Sequence, residues 1–314
     1  VQGGEVAREL ERERRNLWSR AELAQDPDFS AYSPRPGILE AQAFRTALTA
    51  RPERTFAMLP RLAKAADAPL QRAARRIASR IILRDARALA GGTYGGGRLM
   101  REPLGPDGDL DLDGSLEGIF LARAGRSAVA PELFAQVWRR PRTSVCLIVD
   151  TSGSMSGAGI ATAALAAAAI ALRARTDFSV VVVRDRALIL RDHGSNRSIE
   201  SVIDDLLTLR SYGWTNLGAG LCAARAQLAR AAGTHRIAIL LSDGDSNRGA
   251  DPLRAARGLE TLHVVSTAGG GRAGPALAAA GHGRALAAAG HGRAVCIEAP
   301  HDIVPALGAL LAGR

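Results

Sequence analysis

Lysine is all but missing from this 314-residue chain. Lys64 is the only one, so nearly all of the 41 basic side chains are arginine. Together with an excess of alanine, that points to a GC-rich genome more than to a special arginine function. Aromatic residues make up 4%, which leaves the cores to Ala, Leu, Val and Ile. The three cysteines, Cys146, Cys222 and Cys296, are 76 and 74 residues apart in apolar segments. An odd, sparse set without Cys-x-x-Cys spacing excludes a disulfide framework and predicts buried free thiols in a reducing compartment. The six histidines are scattered without metal spacing. No run reaches the ~20 strongly apolar residues of a membrane span. The longest, residues 157–172, is rich in Ala and reads as a core helix. The chain does not open with a positively charged stretch followed by an apolar one. A secretory leader is therefore not expected, and a cytoplasmic location is.

Charge of one sign is not concentrated anywhere. The formal net charge is +10, but residues 1–140 carry 23 basic and 18 acidic side chains and residues 141–314 carry 18 and 13. Each half is thus +5 with the signs interspersed. A basic tail and an aromatic-plus-Arg stripe for stacking bases are both lacking. The composition does not support a nucleic-acid partner.

What is present falls into three parts. Residues 1–90 read as an all-α region: a charged helix over 5–25, a Pro- and Gly-containing break at 26–37, then helices near 38–50, 52–66 and 69–90. The last sets Ile77, Ile81, Ile82 and Leu89 beside a row of Arg72, Arg76, Arg80 and Arg84. Residues 91–141 read as a Gly-rich and acidic linker with a short helix over 115–125. Its GGTYGGGR start lacks the Gly-Lys-Ser/Thr of a phosphate loop. The DGDLDLDG stretch imitates half an EF-hand with Asp109, Asp111, Asp113 and Gly114. It fails at Phe120, where a bidentate Glu belongs. From 142 to 314 strands and helices alternate, with strands at 145–150, 178–185, 186–192, 235–243, 260–266 and 294–298. The third strand returns after almost no turn, so it must be antiparallel and at an edge. This predicts a doubly wound, mostly parallel six-stranded α/β sheet with one antiparallel edge strand. The nonapeptide LAAAGHGRA occurs at 277–285 and again at 286–294. It reads as a local duplication that lengthens a helix or loop, with His282 and His291 a copied pair and not a metal site.

The stretch VCLIVDTSGSMS, residues 145–156, carries the chemistry. A buried strand delivers Asp150, Ser152 and Ser154 to the C-terminal edge of the sheet, where open α/β sheets bind ligands. Thr215 and Asp243 fall where the same edge returns. All five are hard oxygen donors, the set that Mg²⁺ prefers.

This pattern resembles the metal-ion-dependent adhesion site of von Willebrand factor A (VWA) domains. The signature there is Asp-x-Ser-x-Ser after the first strand, a Thr in a later loop and an Asp after the fourth strand. Here these are Asp150, Ser152, Ser154, Thr215 within YGWTNLGAGL and Asp243 within LLSDGDSN. The resemblance covers 142–314 and implies a VWA domain. It also implies Mg²⁺, or Mn²⁺ or Ca²⁺, held directly by the hydroxyls of Ser152, Ser154 and Thr215. Asp150 and Asp243 would act mostly through waters, and a Glu or Asp of a partner would complete the shell. More loosely, the layout is similar to bacterial VWA proteins of the MoxR-associated group, CoxE-like and NorD-like. That likeness implies an adaptor to a MoxR-type AAA+ ATPase in maturing or activating a client, with no membrane insertion.

Enzymatic readings fail at single residues. Met155 breaks the Gly-x-Ser-x-Gly elbow, Ser152 replaces the second acid of Asp-x-Asp, and the glycines after the first strand miss the dinucleotide spacing. The expectation is a non-enzymatic, metal-dependent interaction module. The alternative is a subunit of a metal chelatase-like complex or a metal-dependent hydrolase.

Overall fold

A capping box opens the helix Arg20–Leu23. The Ser19 hydroxyl accepts from the Glu22 N–H at 3.3 Å and the Glu22 carboxylate accepts from the Ser19 N–H at 2.8 Å. The computed structural model describes residues 8, 11, 16–90, 98–105, 109–125, 133–139, 143–151, 157–174, 177–209, 215–242, 249–267 and 273–312. Between 16 and 25 helix is confined to α1 (Arg20–Leu23), which corrects the single helix expected over 5–25. Trp18 is instead held in a parallel bridge with Ala65, its N–H donating to the Lys64 carbonyl at 2.8 Å. Four helices follow: α2 (Phe29–Tyr32), α3 (Ala41–Ala50), α4 (Pro52–Leu62) and α5 (Ala68–Ala90). In α5 the positions Leu70, Ala74, Ala78, Ile82 and Ala86 are buried, while Arg72, Arg76, Arg80 and Arg84 lie on the solvent face. Lys64 is buried beside them at 2% exposure.

Three segments read as connecting chain are strands. β1 (Arg98–Pro103) and β2 (Asp109–Leu110) both pair antiparallel with β3 (Phe134–Arg139), in the order β1-β3-β2. Strands this short show little local period, and the pairing of Leu99 with Trp138 joins positions far apart in the chain. That is why the pattern alone did not show them. α6 (Leu112–Arg123) begins at Asp111, whose carboxylate accepts from the Gly114 N–H at 3.0 Å and from Arg101 Nε at 2.6 Å. The Gly114 N–H, and after it Arg101, hold that carboxyl below the ordinary carboxylate range. The three aspartates of the EF-hand-like stretch therefore have separate places: Asp109 in β2, Asp111 at the cap, Asp113 in the first turn of α6.

These elements belong to a compact unit of their own, Tyr94–Arg142. The other unit joins Val1–Thr93 to Thr143–Arg314. Its sheet contains β4 (Thr143–Asp150), β5 (Phe178–Val183), β6 (Ala187–Arg191), β7 (His235–Leu241), β8 (Thr261–Thr267) and β9 (Ala294–Ile297). The order is β6-β5-β4-β7-β8-β9, parallel throughout except for the antiparallel edge pair β5/β6. The expected six-stranded, VWA-like architecture is the one observed. The helices are α7 (Ala158–Ala174), α8 (Ile199–Thr208), α9 (Leu217–Leu228), α10 (Pro252–Ala256), α11 (Ala273–Ala289) and α12 (Ile303–Ala312).

Period-2 alternation divides the strands between two cores. Val145, Leu147 and Val149 of β4 face the core built with α7, α8, α12 and the N-terminal helices, whereas Cys146 and Ile148 face the one built with α9, α10 and α11. β5 and β7 divide in the same way, Val180 and Ile239 to the first core, Val181 and Leu240 to the second. α7 is buried along Gly159–Ile170. A helix apolar all round needs cover on every side. The sheet supplies one side, and α4, α5, α8 and α12 supply the rest. The Ala-rich segment is thus a core helix, and among the described residues no helix is long and apolar enough to cross a membrane.

The two copies of LAAAGHGRA take different structures. The first, 277–285, lies within α11. The second leaves the helix after Ala289, turns at His291 with φ 56°, and enters β9 at Ala294. Gly292 is needed in that turn, since a Cβ there would stand 1.9 Å from the Leu262 carbonyl oxygen. A Cβ on Gly281, in the first copy, would meet nothing within 4 Å.

The thiols also depart from expectation. Cys146 is buried, but Cys222 and Cys296 are exposed. Cys222 stands on the outer face of α9 and Cys296 on β9, which ends the strand order among the described residues.

Candidate metal centre

Asp150 ends β4 with its carboxylate wholly buried. A buried carboxylate needs donors, and two come from other chain segments. Thr215 Oγ1 donates to Oδ1 at 3.3 Å, and Ser242 Oγ donates to Oδ2 at 2.7 Å. The sheet register explains Ser242: Val149 pairs with Leu241, so the next residues, Asp150 and Ser242, emerge side by side at the C-terminal edge.

Thr215 arrives by a different route. The loop after β5 holds its neighbour Asn216, whose N–H donates to the Arg184 carbonyl at 2.7 Å. The Asn216 side chain then caps α9, accepting from the Ala219 N–H at 3.0 Å. The helix seats closely because Gly220 faces β5; a Cβ there would lie 2.2 Å from Val183 Cγ2. Thr151 fastens the edge from the other side. Its N–H and its hydroxyl both donate to the Val183 carbonyl, at 3.1 and 3.0 Å, and its Oγ1 accepts from Arg184 Nε at 3.2 Å.

Of the five residues singled out in the sequence, the structure brings Asp150 and Thr215 together. Ser152, Ser154 and Asp243 lie outside the described residues. Ser242 is a further contributor that the motif does not name, although the register of β4 with β7 points to it. Two hydroxyls thus meet on one buried carboxylate, and that set of hard oxygens fits a hard cation. Soft-ligand sites do not compete: among the described residues no group of three His, Cys, Asp or Glu is placed to hold a metal. Cys146, on the same strand, is wholly buried, and that burial pushes its thiol up to about 12.

A Ser, a His and an Asp also meet at the opposite end of the sheet. His193 Nε2 is 2.6 Å from Asp177 Oδ1 and its Nδ1 is 3.4 Å from Ser179 Oγ. Ser179 is wholly buried and the His193 side chain is 2% exposed, so a substrate has no route to the hydroxyl. The trio joins β5 to the chain after β6 as a brace.

Residues 145–246 match the family model described as von Willebrand factor type A domain. Among solved structures, the chain is similar to a von Willebrand factor type A protein from Catenulispora acidiphila, at 19% identity over 57% of this chain and 43% of that one, TM-score 0.42. It is similar to the conserved hypothetical protein BatB from Bacteroides thetaiotaomicron, at 16% identity over 54% and 97%, TM-score 0.44. It is also similar to proximal thread matrix protein 1 of the mussel byssus with a zinc-occupied MIDAS motif, at 16% identity over 55% and 47%, TM-score 0.43. The chain spans less than half the length of the first of these. No curated protein matches it. Residues 145–246 carry a von Willebrand factor type A domain, seated on a VWA-like sheet that continues to Ile297.

Proposed function

We propose that this sheet edge is a metal-dependent protein-interaction site. Asp150, Ser152, Ser154, Thr215 and Asp243 would hold one divalent cation, Mg²⁺ in the first instance. A bound dication would supply an electrophilic position that an incoming carboxylate can fill. The chain's own part is orientation: Ser242 and Thr215 hold the Asp150 carboxylate at the edge, and the hydrogen bond from the Asn216 N–H to the Arg184 carbonyl keeps Thr215 in reach. The observation that carries this reading is the wholly buried Asp150 carboxylate meeting the Thr215 hydroxyl where the sheet ends. The partner contributes a Glu or Asp, and the working arrangement is an adaptor between a MoxR-type AAA+ ATPase and a client in the cytoplasm.

The test is capture from native extract with Mg²⁺, with EDTA, and with Asp150→Ala. Recovery of an AAA+ ATPase or client only in the first condition is the expected result. Recovery that ignores both changes removes the metal from the mechanism. Measurable turnover by the isolated protein would move the site to the hydrolase alternative.

A further inference from the structure

Eight of the ten large apolar side chains that stand exposed among the described residues fall between Leu99 and Leu121. They belong to the small unit Tyr94–Arg142, in which Ala135 is the only fully buried apolar side chain among the described residues. The pattern is sharpest on α6. Leu112, Leu116 and Phe120 are 61%, 44% and 66% exposed. At 100° per residue they share a sector of about 80° with Arg123, and Asp113 stands at its margin. Scattered exposed apolar residues need no explanation, but a continuous stripe marks an interaction surface.

We infer that α6 pairs with α6 of a second copy of this chain, antiparallel and about a two-fold axis. The argument is self-complementarity. In a register centred on residue 118, Leu116 of one copy faces Phe120 of the other. The same register sets Asp113 at one end of α6 opposite Arg123 at the other end of its mate. One shift satisfies both the apolar and the charged pair, and the two-fold repeats each contact, as an isologous interface requires. The stripe carries acid only at its N-terminal end and a base only at its C-terminal end, so parallel pairing would set like charges together. The surface belongs to the small unit Tyr94–Arg142, and the inference does not rest on the metal. A single helix pair is a small interface, so pairing should set in at micromolar concentration.

Sedimentation of the full chain from 1 to 100 µM is the test, with far-UV circular dichroism to check folding. The wild type should pass from monomer to dimer across that range. Leu116→Glu with Phe120→Glu should remain monomeric at every concentration with its helix content kept. Asp113→Arg and Arg123→Asp should each weaken pairing at least tenfold, and the double exchange should restore it, a recovery that damage to the fold would not produce. A wild type that is monomeric at 100 µM overturns the inference, including the case in which it captures a different protein through the same helix. So does a dimer that the charge exchanges leave unchanged.

Discussion

The Ser242 hydroxyl donates to Asp150 Oδ2 at 2.7 Å across 92 positions of sequence, and this bond joins the ends of two neighbouring parallel strands. Removing a donor from a buried carboxylate costs about 1–3 kcal/mol. Ser242→Ala should therefore lower the free energy of unfolding, read from urea denaturation, by that amount. Thr215→Val, which removes the longer 3.3 Å bond, should lower it less. The reverse order in denaturation would place the tighter hold on Asp150 at Thr215.

The metal proposal makes a thermodynamic demand of its own. Free Mg²⁺ at ten times its dissociation constant should stabilise the folded chain by about 1.4 kcal/mol, visible as a rise in melting temperature. The rise should vanish with Asp150→Asn or Ser152→Ala. Calorimetry with Mg²⁺ and Mn²⁺ at millimolar levels checks the same point, and an absence of heat from both would count against the site.

The three thiols should separate by reactivity. Burial lifts Cys146 from the ordinary 9.0 to about 12, so at pH 8 its thiolate amounts to on the order of one part in ten thousand. Ellman's reagent should titrate Cys222 and Cys296 in the native protein and the third thiol only in denaturant. The folded state keeps this proton more tightly than the unfolded one does. Its contribution is therefore fully present below pH 9 and is lost as pH climbs through about 12. Cys146→Ala should flatten that alkaline loss in a pH series of denaturation curves.

The duplicated nonapeptide offers an internal control. Gly281→Ala falls in a helix with room around it, and should stabilise by about 0.5–1 kcal/mol. Gly290→Ala, the same position in the second copy, forces a methyl to 2.4 Å from Leu262 Cβ and should destabilise by more than that gain. Thermal melts of the two variants should shift in opposite directions, although the exchange is the same in the same nine residues.

Residues 143–314 expressed alone should behave badly. α7 would lose the cover of α4 and α5 and expose a helix that is apolar on every side. Light scattering and dye binding to exposed apolar surface should both rise relative to the full chain.

Much of the sheet was legible because its signals are local. Val145 to Val149 could face cores on both sides only as a buried parallel strand, and the missing turn between Val183 and Ala187 required an antiparallel neighbour. β1 and β3 were not legible, because a six-residue strand without strict alternation takes its meaning from a partner far along the chain. Trp18 escaped for a similar reason: its place is set by Lys64 and Ala65, and helical spacing in its own segment says nothing of them. The meeting of Asp150 with Thr215 at the sheet edge was readable from motif and order. Ser242 was not, since it becomes a contributor only through the pairing of Val149 with Leu241. The two copies of LAAAGHGRA show the limit most plainly, with identical residues taking different backbones because only one copy meets Leu262 closely.

The burial of Lys64 has a chemical consequence. It is the only lysine in the sequence and it is 2% exposed, so the folded surface offers acylating reagents no accessible ε-amine. Cross-linking, acetylation and isopeptide tagging at lysine side chains would all find no accessible ε-amine until the helices around Lys64 open. Acylation of that one amine would therefore report directly on the opening of the N-terminal helices.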